Sequence, residues 1–331
     1  MTTVVTGTAG WASGSSQRAL TGPPPGTAAW NADRSVGREL PDPASASPAE
    51  VAAFFGTLSG REKQGLARRH PLVVGNLDGA PVSLRYRANA QALRGTVFDR
   101  FAGAGRQILA FDPRGRGQIA EVYGDLERAR KLSVIVPGAD IDAGTFDRKS
   151  DRYGTPTGMA TSLRAATGDR TAVVAWAGYT TPVGVGLDAA SGDLAEAGAV
   201  RLTRLTRGLA AVGAPKPSLF CHSYGSVVCG LAARQVNASD IVVLGSPGLR
   251  ADSAAGLRTD ARLWAAKDAT DWISKVPHVQ LLGLGHGADP AEPGFGARRV
   301  PAERAKGHTG YFAPGTDSLQ TFATIAQGEA R

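Results

Sequence analysis

Ser223 sits at the centre of Cys221-His222-Ser223-Tyr224-Gly225, where the apolar run Leu219-Phe220-Cys221 ends and a helical pattern begins. A serine hydroxyl is a weak nucleophile at neutral pH, so chemistry at Ser223 requires a base within hydrogen-bond reach and donors for a developing oxyanion. A tight strand-to-helix turn, the nucleophile elbow, supplies that exposure, and it needs small residues two places either side of the serine. Gly225 is one. Cys221 stands where the usual motif has its first glycine, a small side chain but not the usual one.

The elbow sets an order for the remaining groups: serine, then acid, then histidine. His278, His286 and His308 follow Ser223. His278 comes after Pro277 at the start of an apolar run and reads as a core or edge residue. His286, in Gly285-His286-Gly287-Ala288-Asp289-Pro290, and His308, in Gly307-His308-Thr309-Gly310-Tyr311-Phe312, both lie in glycine-rich loops that could reach a site rim. His308 is the preferred base, because Tyr311 and Phe312 can anchor its loop over a cleft; His286 is the second choice. For the acid that orients the imidazole, Asp271 is preferred and Asp268 second, both following Leu263-Trp264-Ala265-Ala266. Asp271 precedes Trp272, Ile273 and Pro277, an acid-loop pattern. Either aspartate could equally serve as a turn or helix cap.

Oxyanion donors are expected from the backbone N–H of Tyr224, the residue after the serine, and of Ala139, after Pro137-Gly138 at the end of a strand. Asp140 should point away from that hole, since a carboxylate would repel the oxyanion. Trp176 and Tyr179, with His222 beside the nucleophile, are the candidate substrate-binding residues. They open a Gly- and Val-rich segment, 177–192, that reads as a lid over an apolar cleft.

The elements that must position these groups follow from periodicity. Residues 1–46, rich in Gly, Ser, Thr, Ala and Pro, read as an extended arm. Ser47-Pro48-Ala49-Glu50 and Ser59-Gly60-Arg61-Glu62 are capping-box patterns, and they predict two helices in a preface over 47–105. Gln107–Phe111 and Gln118–Tyr123, separated by Asp112-Pro113-Arg114-Gly115-Arg116-Gly117, predict a hairpin. Lys131–Val136 and Thr171–Trp176 are continuous apolar runs of the kind buried on both faces of a parallel sheet. A helix is expected over 193–212, the elbow strand at 217–221, a helix to about Val236, and strands at 241–244, 263–266 and 278–284. A hairpin leading into alternating strands and helices, with the elbow on the fifth strand, is the layout of an α/β-hydrolase domain over 47–331, its core sheet in 106–331.

Composition restricts the function classes. The 331 residues are 42% hydrophobic and 20% charged, which is globular, and no apolar run approaches the roughly 18 residues of a membrane span. The net charge of +8 is spread along the chain, with Arg68-Arg69-His70 and Arg298-Arg299 the densest clusters, so a nucleic-acid partner is not expected. No integral membrane segment is expected either, and oligomeric state is open. Met1–Gly10 carries no secretory pattern, giving a cytoplasmic expectation. Cys221 and Cys229 fall on a strand end and in the following helix, and they read as unpaired buried thiols.

With these residues in view, the chain from about Ser47 to Ala326 resembles an actinobacterial α/β-hydrolase family long catalogued as a domain of unknown function. The resemblance rests on His222-Ser223-Tyr224-Gly225-Ser226, Gly245-Ser246-Pro247-Gly248, Asp271-Trp272-Ile273, Gly285-His286-Gly287-Ala288-Asp289-Pro290 with Phe295-Gly296-Ala297, and Gly307-His308 with Gly310-Tyr311-Phe312. It implies the hydrolase fold and, on matching positions, Ser223, Asp271 and His308 as a triad. The resulting expectation is a serine hydrolase of small-molecule or lipid acyl esters that needs no metal or organic cofactor. Two alternatives stay open: an acyltransferase using the same triad, and a non-catalytic binding protein in which Cys221 has spoiled the elbow.

Overall fold

The computed structural model describes residues 17–276, 278–281 and 283–330. Of the expected arm, residues 1–16 lie outside these, as does Pro277 of the acid loop. The rest of the arm is not wholly extended, because Thr27–Ala32 forms a short helix, α1. Its Trp30 is completely buried and donates its indole N–H to Pro41 O at 2.8 Å. Trp30, together with the pairing of Asp33 with Arg69 at 3.0 Å, holds a segment whose composition reads as loop.

The preface is helical. α2 (Pro48–Gly56) and α3 (Gly60–Arg69) both begin with complete capping boxes: the Glu50 and Glu62 N–H groups donate to the Ser47 and Ser59 hydroxyls, and the carboxylates accept from the serine N–H groups at 2.7 Å. α4 (Pro71–Asn76) and α5 (Val82–Leu93) complete it. Val51, Phe55, Leu66, Val74 and Leu84 form its own apolar core around Trp30.

The sheet follows. β1 (Ile108–Asp112) and β2 (Gln118–Tyr123) make the expected antiparallel hairpin. Then come β3 (Lys131–Val136), α6 (Pro156–Thr167), β4 (Thr171–Ala177), α7 (Leu187–Ala190), α8 (Asp193–Ala211), β5 (Ser218–His222), α9 (Gly225–Ala232), β6 (Asp240–Leu244) and β7 (Arg262–Ala266). The apolar run at 278–284 does not join this sheet. It folds into a two-residue hairpin, β8 (Gln280–Leu281) and β9 (Leu284–Gly285), closed around Gly283. β10 (Arg298–Val300) adds parallel to β7, and α10 (Asp317–Ala326) closes the chain.

The eight-stranded sheet has the order β1-β2-β4-β3-β5-β6-β7-β10, antiparallel only where β2 pairs with β1 and β4. Strand residues alternate between two apolar layers, as the two-residue pleat requires. Val134, Val174, Leu219, Ile241 and Leu263 face α8 and α9. Ile135, Val173, Phe220, Val242 and Trp264 face α6 and α10, where Phe220, Phe312 and Phe322 pack ring against ring at 5.0–6.1 Å. With both faces covered, β3 to β7 end together at one edge, and the crevice beyond the carboxyl ends of such strands is where ligands meet this architecture. Among the described residues no helix is long and apolar enough to cross a membrane.

Candidate active site

The β5–α9 turn puts Ser223 at φ 53°, a left-handed conformation that costs a non-glycine residue energy and that the surrounding structure must impose. The Ser223 N–H donates to Leu244 O at 3.0 Å, which ties the turn to the end of β6. Gly225 is required there: a Cβ would lie 2.3 Å from Val136 O. Gly138 is required from the other side, since its Cβ would stand 2.5 Å from Ser223 Cβ and 3.0 Å from Oγ. The main chain at 138–139 therefore runs directly against the serine. Among the described residues neither the Ala139 N–H nor the Tyr224 N–H meets an acceptor. Asp140 turns away as expected and accepts from the Gly184 N–H at 2.8 Å.

The reading of two free thiols is overturned. Cys221 and Cys229 form a disulfide across a Cα–Cα distance of 6.4 Å. The elbow reverses the chain so sharply that α9 packs back along β5, bringing within bonding range two residues that look separated as strand end and mid-helix. The Cys221 side chain thus lies in the layer facing α9, and the turn at Ser223 keeps its left-handed geometry with a cysteine in the glycine's place.

His308 and Asp271 are brought together at this turn. His308 Nδ1 lies 2.9 Å and 3.1 Å from the two Asp271 carboxylate oxygens, and Asp271 is 2% exposed. Its carboxylate also accepts from the Ile273 N–H at 2.9 Å and the Tyr311 hydroxyl at 2.7 Å. Burial opposes ionisation of Asp271, yet the bonds from His308, Ile273 and Tyr311 prevail and hold it below the usual carboxylate range. Asp271 is at once the imidazole's partner and the cap of the short turn Trp272–Lys275. The imidazole lies between two rings, His222 and Trp272, each with its centroid 4.7 Å away.

The remaining sequence candidates hold the loops. Asp268 accepts from the Gly307 N–H at 2.8 Å and from the Thr270 hydroxyl, so it fixes the approach to His308 and not the imidazole. His286 lies against Tyr224 and pairs through Nε2 with Ala189 O at 2.7 Å, joining the β9 loop to α7. His278 Nε2 is 3.4 Å from Asp289, which is also paired with Lys267. His222, expected to bind substrate, is buried, and its Nε2 lies 2.7 Å from His308 O. That contact requires a proton on Nε2, since the carbonyl only accepts. Burial first, then the neighbouring His308, pushes His222 down to about 3, so it is neutral at ordinary pH. Trp176 and Tyr179 do not line the cleft. They stack on each other in the core beside α8, and the Tyr179 hydroxyl donates to Pro137 O at 2.6 Å. Sequence reasoning gave Tyr311 only an anchoring role and missed its bond to Asp271; the signal was a tyrosine three residues after the histidine.

A strand order of this kind, with an elbow after the fifth strand and acid and histidine in later loops, defines the α/β-hydrolase class. Residues 112–281, about half of the chain, match the family described as alpha/beta hydrolase, and the chain belongs to that family. The matched span contains Ser223 and Asp271 and ends before His308. An uncharacterized protein of Mycobacterium tuberculosis is 29% identical over 88% of this chain and 57% of its own length, and another from Mycobacterium bovis is 33% identical over 49% of this chain and 64% of its own. The chain thus spans less than two thirds of either relative. Among solved structures, dienelactone hydrolase from Anabaena variabilis is 17% identical (TM-score 0.40; 64% of this chain, 90% of that one). Carboxyl esterase 2 from Tuber melanosporum is 14% identical (TM-score 0.41; 74% and 97%). Both likenesses are loose.

Proposed function

We propose that this chain is a serine hydrolase of carboxylic esters that works through an acyl-enzyme. The observation that carries the reading is the His308–Asp271 pair, packed on the ring of His222, which precedes a serine in left-handed backbone with Gly138 pressed against it. With its Nδ1 proton directed at Asp271, His308 presents the unprotonated Nε2. That nitrogen takes the Ser223 proton as Oγ attacks the ester carbonyl carbon, and Asp271 stabilises the resulting imidazolium. The Ala139 and Tyr224 N–H groups hold the oxyanion, a donor of this kind being worth about 2.7–4 kcal/mol. Collapse expels the alcohol with the proton from His308; water, deprotonated by the same nitrogen, then releases the carboxylate.

The rim supports an apolar acyl group. Val183, Val185 and Leu187 are 56–76% exposed on the segment that is bonded to the oxyanion loop through Asp140. Trp272, against His308, is 42% exposed. Large apolar side chains gathered around one site mark a surface that meets apolar matter. A fluorophosphonate probe tests the reading: wild type is expected to be labelled and Ser223→Ala not. Correctly folded wild type that resists labelling would overturn it. Loss of p-nitrophenyl ester turnover in His286→Ala with activity intact in His308→Ala would overturn the choice of base.

A further inference from the structure

A cavity of about 360 Å³ lies between the described end of the arm, the β1–β2 hairpin and α8, and none of Ser223, His308 or Asp271 lines it. Its polar wall is unevenly charged. Arg85 is 3% exposed and paired with Asp78 at 3.1 Å; Arg114 is paired with the buried Asp112 at 2.6 Å. Arg201 and Arg204, one turn apart on α8, make no ion pair among the described residues. They reach only backbone carbonyls, Leu20 O at 3.5 Å and Ala46 O at 3.1 Å. Four guanidinium groups thus face two carboxylates. Burial lowers the proton affinity of Arg201 even with Asp112 and Asp78 nearby, so those carboxylates leave its charge under-compensated.

Gln118 adds a second anomaly. It lines the same cavity, is 4% exposed, and neither its amide nitrogen nor its oxygen has a hydrogen-bond partner among the described residues. An orphaned buried amide is costly, and a leucine of similar shape would remove that cost. The lining also carries apolar side chains, among them Leu77, Trp176 and Leu205. From this juxtaposition we infer that the cavity is a binding site, separate from the candidate active site, for a small amphiphilic anion. Its carboxylate or phosphate head would pair with Arg201 and Arg204, and its apolar body would lie along Trp176 and Leu205. A guanidinium pair offers several N–H donors to either head group, and the two uncompensated positive charges select for an anion over a neutral ligand.

The inference stands independently of ester hydrolysis, and its test requires no turnover. Hexanoate and hexyl phosphate are titrated calorimetrically into the full chain, the two arms separating a carboxylate from a phosphate head. Wild type is expected to bind at least one of them tighter than about 1 mM, and Ser223→Ala to bind it equally. Arg201→Gln/Arg204→Gln is expected to weaken binding at least tenfold. Gln118→Leu is expected to weaken it several-fold with a melting temperature no lower than wild type. The site is overturned if neither probe binds, if Ser223→Ala abolishes binding, or if the double arginine variant binds as wild type does. Should that variant fail to fold, unchanged binding in Gln118→Leu overturns it.

Discussion

Asp271 is the most heavily bonded side chain of the candidate site, and the bond from Tyr311 is the one a single-atom change can remove. Tyr311→Phe leaves the ring in place and deletes the 2.7 Å donor. A hydrogen bond to a charged group is worth about 1.5–3 kcal/mol, of which part is felt when the imidazolium forms. The expected result is a fall in kcat of about tenfold on a p-nitrophenyl ester with KM unchanged; a rise in KM alone would show that Tyr311 acts on binding. His222 makes a prediction about stability. Its folded proton affinity is depressed, while the unfolded chain titrates it near 6.5. Between those values the unfolded state binds the extra proton, so His222 lowers stability progressively as pH falls from about 6.5 towards 3, with a slope approaching about 1.4 kcal/mol per pH unit. The lowered Asp271 acts in the same direction at the acid end of that window. His222→Gln retains a donor for His308 O and removes the titration, so denaturant midpoints measured from pH 7 to 4 should decline less steeply in the variant. Equal slopes would sink the argument.

At the scale of elements, the exposed apolar segment at 183–187 is tied to the loop proposed to hold the oxyanion. Asp140 bonds the Gly184 N–H one residue beyond Ala139, and His286 ties α7 to the β9 loop. If the exposed Val185 and Leu187 receive the acyl chain, Val185→Asp/Leu187→Asp should raise KM for p-nitrophenyl octanoate about tenfold, close to the transfer energy of part of one aliphatic side chain. KM for the acetate should not move. An equal rise for both esters would assign these residues to folding. The strands were readable for a physical reason: β3 to β6 are buried on both faces and so appear as unbroken apolar runs, and the capping boxes of α2 and α3 are local. β10 escaped because its three residues are Arg298, Arg299 and Val300, and only the neighbouring β7 makes them a strand. The 278–284 run misled because Gly283 turns it back on itself. In the site, chain order and loop composition singled out His308 and Asp271, which the fold brings into hydrogen-bond contact. The burial of Trp176 and Tyr179, the loop-fixing role of Asp268 and the bond from Tyr311 depend on contacts between distant segments, which periodicity does not encode.

For the whole molecule, the disulfide bears on the compartment in which the chain folds. The cytoplasmic expectation was drawn from Met1–Gly10, and Cys221 and Cys229, read separately as free thiols, are joined by the fold across the elbow. Disulfides persist in oxidising compartments and are rare where glutathione and thioredoxin keep thiols reduced. The bond closes a short loop that contains Ser223 itself, so it fixes the relative position of β5 and α9 at the residue the proposed chemistry uses. A disulfide typically contributes about 2–4 kcal/mol, and a loop this short belongs at the lower end. Cys221→Ala/Cys229→Ala should therefore melt several degrees below wild type. Reduction of wild type by dithiothreitol should reproduce that loss, with ester turnover falling in parallel as the elbow loosens. The compartment follows from the same pair. When cells making the full-length protein are quenched with an alkylating reagent, mass spectrometry should find Cys221 and Cys229 unalkylated and linked. Two alkylated thiols in that experiment would place the chain in a reducing compartment and leave the elbow to be held by packing alone.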